Sequence, residues 1–164
     1  MKPEIVSKLE SIVGNDYVVI GKEAMLDYLA DETAPTVRPK PAEDVVLVKP
    51  GTAQEVSSIL KLADEWKISV FPRGGGTGVV GGCIPTRDGI VLSMERMDRV
   101  IEVDRENLMI VVEAGVKLGE LLEAADKADL SFPPHPGDAT AHVGGLVACK
   151  AGGARAVRYG VMRN

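Results

Sequence analysis

Six of the ten residues in Arg73-Gly-Gly-Gly-Thr-Gly-Val-Val-Gly-Gly82 are glycine, and an arginine stands at their head. Such a segment adds nothing to a core and loses more backbone entropy on ordering than other sequences do. It is retained where bare backbone must approach something closely. Its unshielded N–H groups, with Arg73 beside them, suit an anion, most naturally a phosphate or pyrophosphate. A nucleotide is therefore the first ligand class that the chain suggests. A flexible linker would be rich in Ser or charge and flanked by polar sequence. Here Ile68-Ser-Val-Phe-Pro72 precedes the glycines and Gly89-Ile-Val-Leu-Ser93 follows them. Two strand-like runs bracket the loop, which places it inside a domain. A ligand-free structural loop needs only one or two glycines for its positive φ angles.

Gly76-Thr-Gly78-Val-Val-Gly81 also fits G-x-G-x-x-G, with Glu95 near the spacing of a ribose-binding acid. A Rossmann site requires a helix to open directly from the glycines. The residues that follow, Gly82-Cys-Ile-Pro85-Thr-Arg-Asp-Gly89, leave no room for one. NAD in a Rossmann fold is rejected on that ground.

The bulk numbers exclude several classes. The 164 residues suffice for a domain with a real core. The net charge is −5 without a basic block, and aromatics are 4%. Neither a polyanion surface nor a stacking platform for single-stranded nucleic acid follows from these values. No apolar run approaches the ~20 residues of a membrane span, and the N-terminus lacks an apolar signal core. Cys83 and Cys149 are far apart and form no C-x-x-C. They read as reduced thiols in a cytoplasmic protein.

Periodicity organises the rest. Helices are expected over 3–13 and 22–30, with an irregular Pro-rich stretch over 31–41. Asp44-Val-Val-Leu-Val48 reads as a strand. Thr52-Ala-Gln-Glu55 matches a capping box and opens a helix that runs to Trp66. Ser69-Val-Phe71 is the next strand, so this is a β-α-β unit with parallel strands. Ile90-Val-Leu92 is a further strand. Val100-Ile-Glu-Val103 and Met109-Ile-Val-Val112 form an antiparallel hairpin about Asp104-Arg-Glu-Asn107. A helix follows over 117–128, then the Pro-rich loop Ser131-Phe-Pro-Pro-His-Pro-Gly137. A second glycine-bearing segment runs over 140–153, and its small residues suit a short helix or turn packed closely against a ligand.

Taken together, Pro72 to Gly78, Gly81-Gly82, Gly89 to Ser93, Met97 to Asp104, Val112 to Val116, Gly144-Gly145, Ala151 to Gly153 and Arg158-Tyr-Gly-Val161 fall in one order. That order resembles the FAD-binding, PCMH-type domain of the vanillyl-alcohol-oxidase flavoproteins, in the branch of the glycolate oxidase D-subunit and D-lactate dehydrogenase. The resemblance implies an α+β fold of two subdomains with the flavin between them. It contains one β-α-β unit and a second, mixed or antiparallel sheet. Residues 1–43 would be an N-terminal helical segment, and 44–164 an FAD-binding domain incomplete at its C-terminus. The resemblance puts the pyrophosphate on Arg73, Gly74, Gly75, Gly76, Thr77 and Gly78, and counts Pro72 and Gly82 among the cofactor-binding residues. Pro136, Asp138, Thr140, Gly144 and Gly145 would contact the cofactor, and Gly152, Gly153, Tyr159 and Gly160 would close the site. Some relatives attach FAD through a histidine in the loop. Thr77 stands near that place here, so noncovalent FAD is expected.

The implied activity is oxidation of a 2-hydroxy acid such as glycolate or D-lactate, with the substrate held by a C-terminal domain beyond this chain. The alternative is a cofactor-less binding or assembly module without its own catalysis. No catalytic residue is singled out. A fragment or half of a split enzyme would retain little FAD on purification. It would also self-associate or pair with a separate C-terminal half. Relatives often read Gly-Gly-Asn-Val-Ala-Glu-Asn-Ala-Gly-Gly where this chain has Gly144-Gly-Leu-Val-Ala-Cys-Lys-Ala-Gly-Gly153. Leu146, Cys149 and Lys150 thus replace polar residues near the flavin. His135 and His142, with Asp138 between them, are too few for a closed metal site, and no metal is expected. His142 reads as packed or at the flavin edge, His135 as exposed and Cys149 as a small buried thiol.

Overall fold

The computed structural model describes residues 1–162 and divides into two compact units, Met1–Arg96 and Met97–Asn164. Arg163 and Asn164, which end the range 44–164, lie outside the described residues. The division falls at Arg96/Met97, so residues 1–43 are part of the first unit.

The first unit is built on a four-stranded sheet. Strand β1 is Val18–Ile20, β2 Val45–Val48, β3 Ser69–Arg73 and β4 Gly89–Ser93, in the order β1-β2-β4-β3. Strands β2, β4 and β3 are parallel, and β1 pairs antiparallel with β2. The expected β-α-β strands are parallel, but β4 lies between them. Strands β2 and β4 are buried at every residue. Val46, Val48, Ile90 and Leu92 pack with Leu9 of helix α1 (Pro3–Val13) and Ile59 of helix α2 (Ala53–Glu65). Val45, Leu47 and Val91 pack with Met25 and Leu29. Apolar neighbours on both sides explain why these strands read as unbroken β-branched runs rather than as alternations. Pro72 is tolerated because β3 is an edge strand.

One local expectation changes, and one strand has no sequence signal. Residues 22–30 form 3-10 turns over Lys22–Tyr28 with a kink at Met25, instead of a continuous α-helix. No side chain caps their start, and 3-10 geometry persists only in short pieces. Strand β1, three residues long, carries too few positions for a periodic signal.

The second unit pairs β5 (Val100–Asp104) with β6 (Met109–Val112) antiparallel, with a bulge between Val100 and Glu102. The turn is closed by Asp104, whose carboxylate accepts from the N–H groups of Glu106 and Asn107 and from the Asn107 side chain. Helix α3 (Leu118–Lys127) lays Leu118 and Leu121 onto a core with Val116, Val143 and Leu146. Two short helices follow, α4 (Val143–Ala148) and α5 (Ala156–Tyr159), the second without a sequence signal. The hairpin leaves Ile101, Leu108, Met109 and Val111 exposed. Among the described residues no helix is long and apolar enough to cross a membrane.

Candidate cofactor-binding site

The glycine loop leaves the carboxyl end of β3, beside the carboxyl ends of β2 and β4. In open α/β sheets this is the edge where ligands bind. Among the described residues, no hydrogen bond uses the N–H group of any residue over 74–80. Most of these residues are exposed or half-buried. A run of unsatisfied donors on bare backbone is what an anion cradle presents.

Arg73 supports this loop from below. It is only 8% exposed. Its guanidinium donates to the carbonyl oxygens of Ala30 and Asp27, both at 2.7 Å, and to Cys83 Sγ at 3.3 Å. It also lies over the Tyr28 ring, 5.6 Å from the centroid. Gly76 has φ +74°, and a Cβ there would overlap the Arg73 guanidinium. The arginine therefore holds the loop by filling the space beneath it. Burial pushes the Cys83 thiol up, partly offset by the Arg73 charge and reinforced by Asp31.

Sequence reasoning missed a polar cluster at the same strand ends. Lys49 Nζ lies 2.7 Å from Glu95 Oε1 and donates to the Tyr28 hydroxyl at 2.7 Å. The Tyr28 hydroxyl donates to Glu95 at 2.8 Å, and Ser93 Oγ does so at 2.9 Å. Burial pushes the Glu95 carboxyl up, but the hydrogen bonds from Lys49, Tyr28 and Ser93 outweigh it and hold the group below the ordinary carboxylate value. Burial likewise pulls Lys49 down, and its bonds to Glu95 and Tyr28 raise it above the usual lysine value. The available signal was position, since Lys49 follows β2 and Ser93 ends β4. A group held below its unfolded value contributes stability that is complete above the unfolded pKa and is lost as pH falls through the folded one. Glu95→Gln should therefore lower the urea midpoint at neutral pH and flatten its acid limb. Parent and variant should converge below the carboxylate range near ~4.3. Parallel acid limbs would remove Glu95 from this role.

In the second unit, Asp138 Oδ1 accepts from the Thr140 hydroxyl at 2.7 Å and from its N–H at 2.8 Å. These bonds hold the Asp138 carboxyl below its ordinary value. Gly144 is pressed on the chain: its N–H donates to Ala114 O at 2.9 Å, and a Cβ would lie 2.7 Å from Ala114 Cβ. At Gly153 a Cβ would overlap the His135 carbonyl oxygen, next to Pro136, and at Gly152 it would lie 2.9 Å from Val161. Gly145 and Gly160 face open space, Gly160 with φ +80°. Tyr159 is exposed, with the Arg158 guanidinium 5.1 Å from its ring. His142 is buried at the start of α4 as expected, and His135 is half-buried rather than exposed. Cys149 is exposed, against the expectation of a buried thiol, because it caps α4 on the solvent side. Among the described residues no group of three His, Cys, Asp or Glu is placed to hold a metal ion.

Residues 45–164 match the family model described as FAD binding domain. The chain belongs to that family. A D-lactate dehydrogenase of Archaeoglobus fulgidus is 56% identical over 137 residues, which cover 84% of this chain and 31% of its own. The glycolate oxidase subunit GlcD of Bacillus subtilis is 34% identical over 119 residues, 72% of this chain and 25% of its own. Among solved structures, alkyldihydroxyacetonephosphate synthase superposes with a TM-score of 0.83 at 24% identity, over 98% of this chain and 32% of its own. p-Cresol methylhydroxylase gives 0.75 at 21% identity, over 90% and 29%. These two likenesses show the fold, which is the PCMH-type α+β fold. The FAD-binding domain described here thus spans 31% and 33% of the length of two D-lactate dehydrogenases that it matches. The residues present fit FAD: the loop offers N–H donors without a protein partner to a pyrophosphate. The cofactor of this family is FAD.

Proposed function

We propose that this FAD-binding domain takes the FAD pyrophosphate along residues 74–80 and serves a flavin-dependent oxidoreductase that oxidises a 2-hydroxy acid such as glycolate or D-lactate. The observation that carries the binding reading is the run of unpaired N–H groups at the carboxyl edge of the parallel strands. The names of the relatives support the substrate class. When bound, the flavin supplies the redox chemistry. The chain's own residues bind and orient it. Thr77 and the glycines contribute donors, and Arg73 keeps the backbone in place. The two cysteines are free, which supports a reducing, cytoplasmic setting.

Two substitutions separate ligand approach from folding. At Gly82 an added Cβ meets nothing within 4 Å, and at Gly78 only Asp31 Oδ2 at an ordinary 3.7 Å. Neither has a positive φ. Gly78→Ala and Gly82→Ala should leave the thermal midpoint unchanged. If backbone approaches the cofactor here, each methyl group stands in its path, and FAD affinity should fall about tenfold by flavin fluorescence titration. Unchanged affinity in both variants would leave the glycines without a ligand and favour the cofactor-less module.

A further inference from the structure

We infer that Asp31 is a positioning residue that sets the shape of the glycine loop for the FAD pyrophosphate, an inference that rests on the reading of the loop given above. An acidic residue is out of place beside an anion site, and Asp31 lies directly against this one. It is 7% exposed, and its Oδ2 is 3.7 Å from where a Gly78 Cβ would be. Its carboxylate accepts from the Gly81 N–H at 2.9 Å, a bond that spans 50 positions of sequence, and from the Thr33 N–H at 3.0 Å. Gly81 has φ +74°, and a Cβ there would lie 2.7 Å from Pro39. The Ala42 N–H then donates to Pro85 O at 2.8 Å, just past the loop.

The same short segment therefore grips both ends of the loop. Its carbonyls at Asp27 and Ala30 hold Arg73 at the entry, and Asp31 and Pro39 hold Gly81 at the exit. The free donors of residues 74–80 lie between these two anchors. Glycine-rich backbone is costly to order, and ordering it before the ligand arrives removes that cost from binding. Asparagine cannot replace the carboxylate. Two N–H donors point at the side chain, and an amide offers one oxygen and turns its NH2 toward the other donor.

The sign of one substitution decides the matter. A carboxylate that merely sat near the pyrophosphate would repel it, so Asp31→Asn would tighten FAD. A carboxylate that holds the loop makes the same change weaken FAD and ADP alike, about tenfold. A second readout needs no cofactor: 15N relaxation on the free chain. Residues 74–81 should show order parameters near ~0.85 in the parent and below ~0.6 in Asp31→Asn, with β2 and β4 unchanged. Pro39→Ala loosens the same grip without touching a charge. It should lower the loop's order parameters in the same direction, and it serves if Asp31→Asn does not fold. An unchanged loop, or FAD bound as tightly or more tightly by Asp31→Asn, overturns the inference. A parent that binds neither FAD nor ADP overturns the reading of the site instead, and the relaxation data still decide whether Asp31 holds the loop.

Discussion

Arg73→Ala should unfold the first unit far more easily than its place beside a surface loop suggests. The guanidinium donates to two backbone carbonyls, at Asp27 and Ala30, and is almost wholly buried. Each hydrogen bond to a charged group contributes about 1.5–3 kcal/mol, and the carbonyls would be left without their donors. The expected loss is about 3–5 kcal/mol, out of a total stability of ~5–15 kcal/mol. The thermal midpoint should fall by roughly ten degrees or more. Arg73→Lys should recover only part of this, because an ammonium lacks the planar fork that reaches both carbonyls. Differential scanning calorimetry without FAD measures it. An unchanged midpoint would mean that the arginine acts on the ligand and not on the loop.

Gly153→Ala should be the most damaging single methyl group in the second unit. Its Cβ would overlap the His135 carbonyl oxygen and also lie 3.0 Å from Pro136 Cα. Backbone cannot swing aside as a flexible side chain can, so residues 135–136 and 153 must part. Forced overpacking of this kind costs about 1–3 kcal/mol and sometimes more. Gly145→Ala is the matched control, since its Cβ meets nothing within 4 Å and alanine favours the helix that contains it. Limited proteolysis of residues 131–162 should accelerate several-fold in the first variant and not in the second. Equal cleavage in both would place the close approach elsewhere.

The legible parts of this fold are those where sequence-local physics decides. Val45–Val48 and Gly89–Ser93 were visible because strands covered on both faces carry β-branched residues at nearly every position. The capping box was visible because its logic spans only four residues. Thr52 Oγ1 does accept from the Glu55 N–H at 3.2 Å, although Glu55 answers to the Gly51 N–H at 2.7 Å instead of the Thr52 one. The glycine loop announced itself by composition. The direction of Arg73 could not be read, because its partners are carbonyls 43 and 46 positions away, and every residue has a carbonyl. The role of Asp31, within a Pro-rich connection, is illegible for the same reason: its partner is the N–H of a glycine fifty positions on. Strand β1 gains its identity only by pairing with β2.

The segment holding Arg73 and Gly81 has a bearing on what counts as a module. The family model's match starts at residue 45. The mechanical unit starts earlier, since a truncation at that point would remove Asp27, Ala30, Asp31 and Pro39 together. What would remain keeps the pairing of β2, β4 and β3 but has a binding loop with nothing to lean on. In graft or fusion work on such domains, the matched motif and the support that makes it usable have different borders, and the cut belongs upstream of the brace.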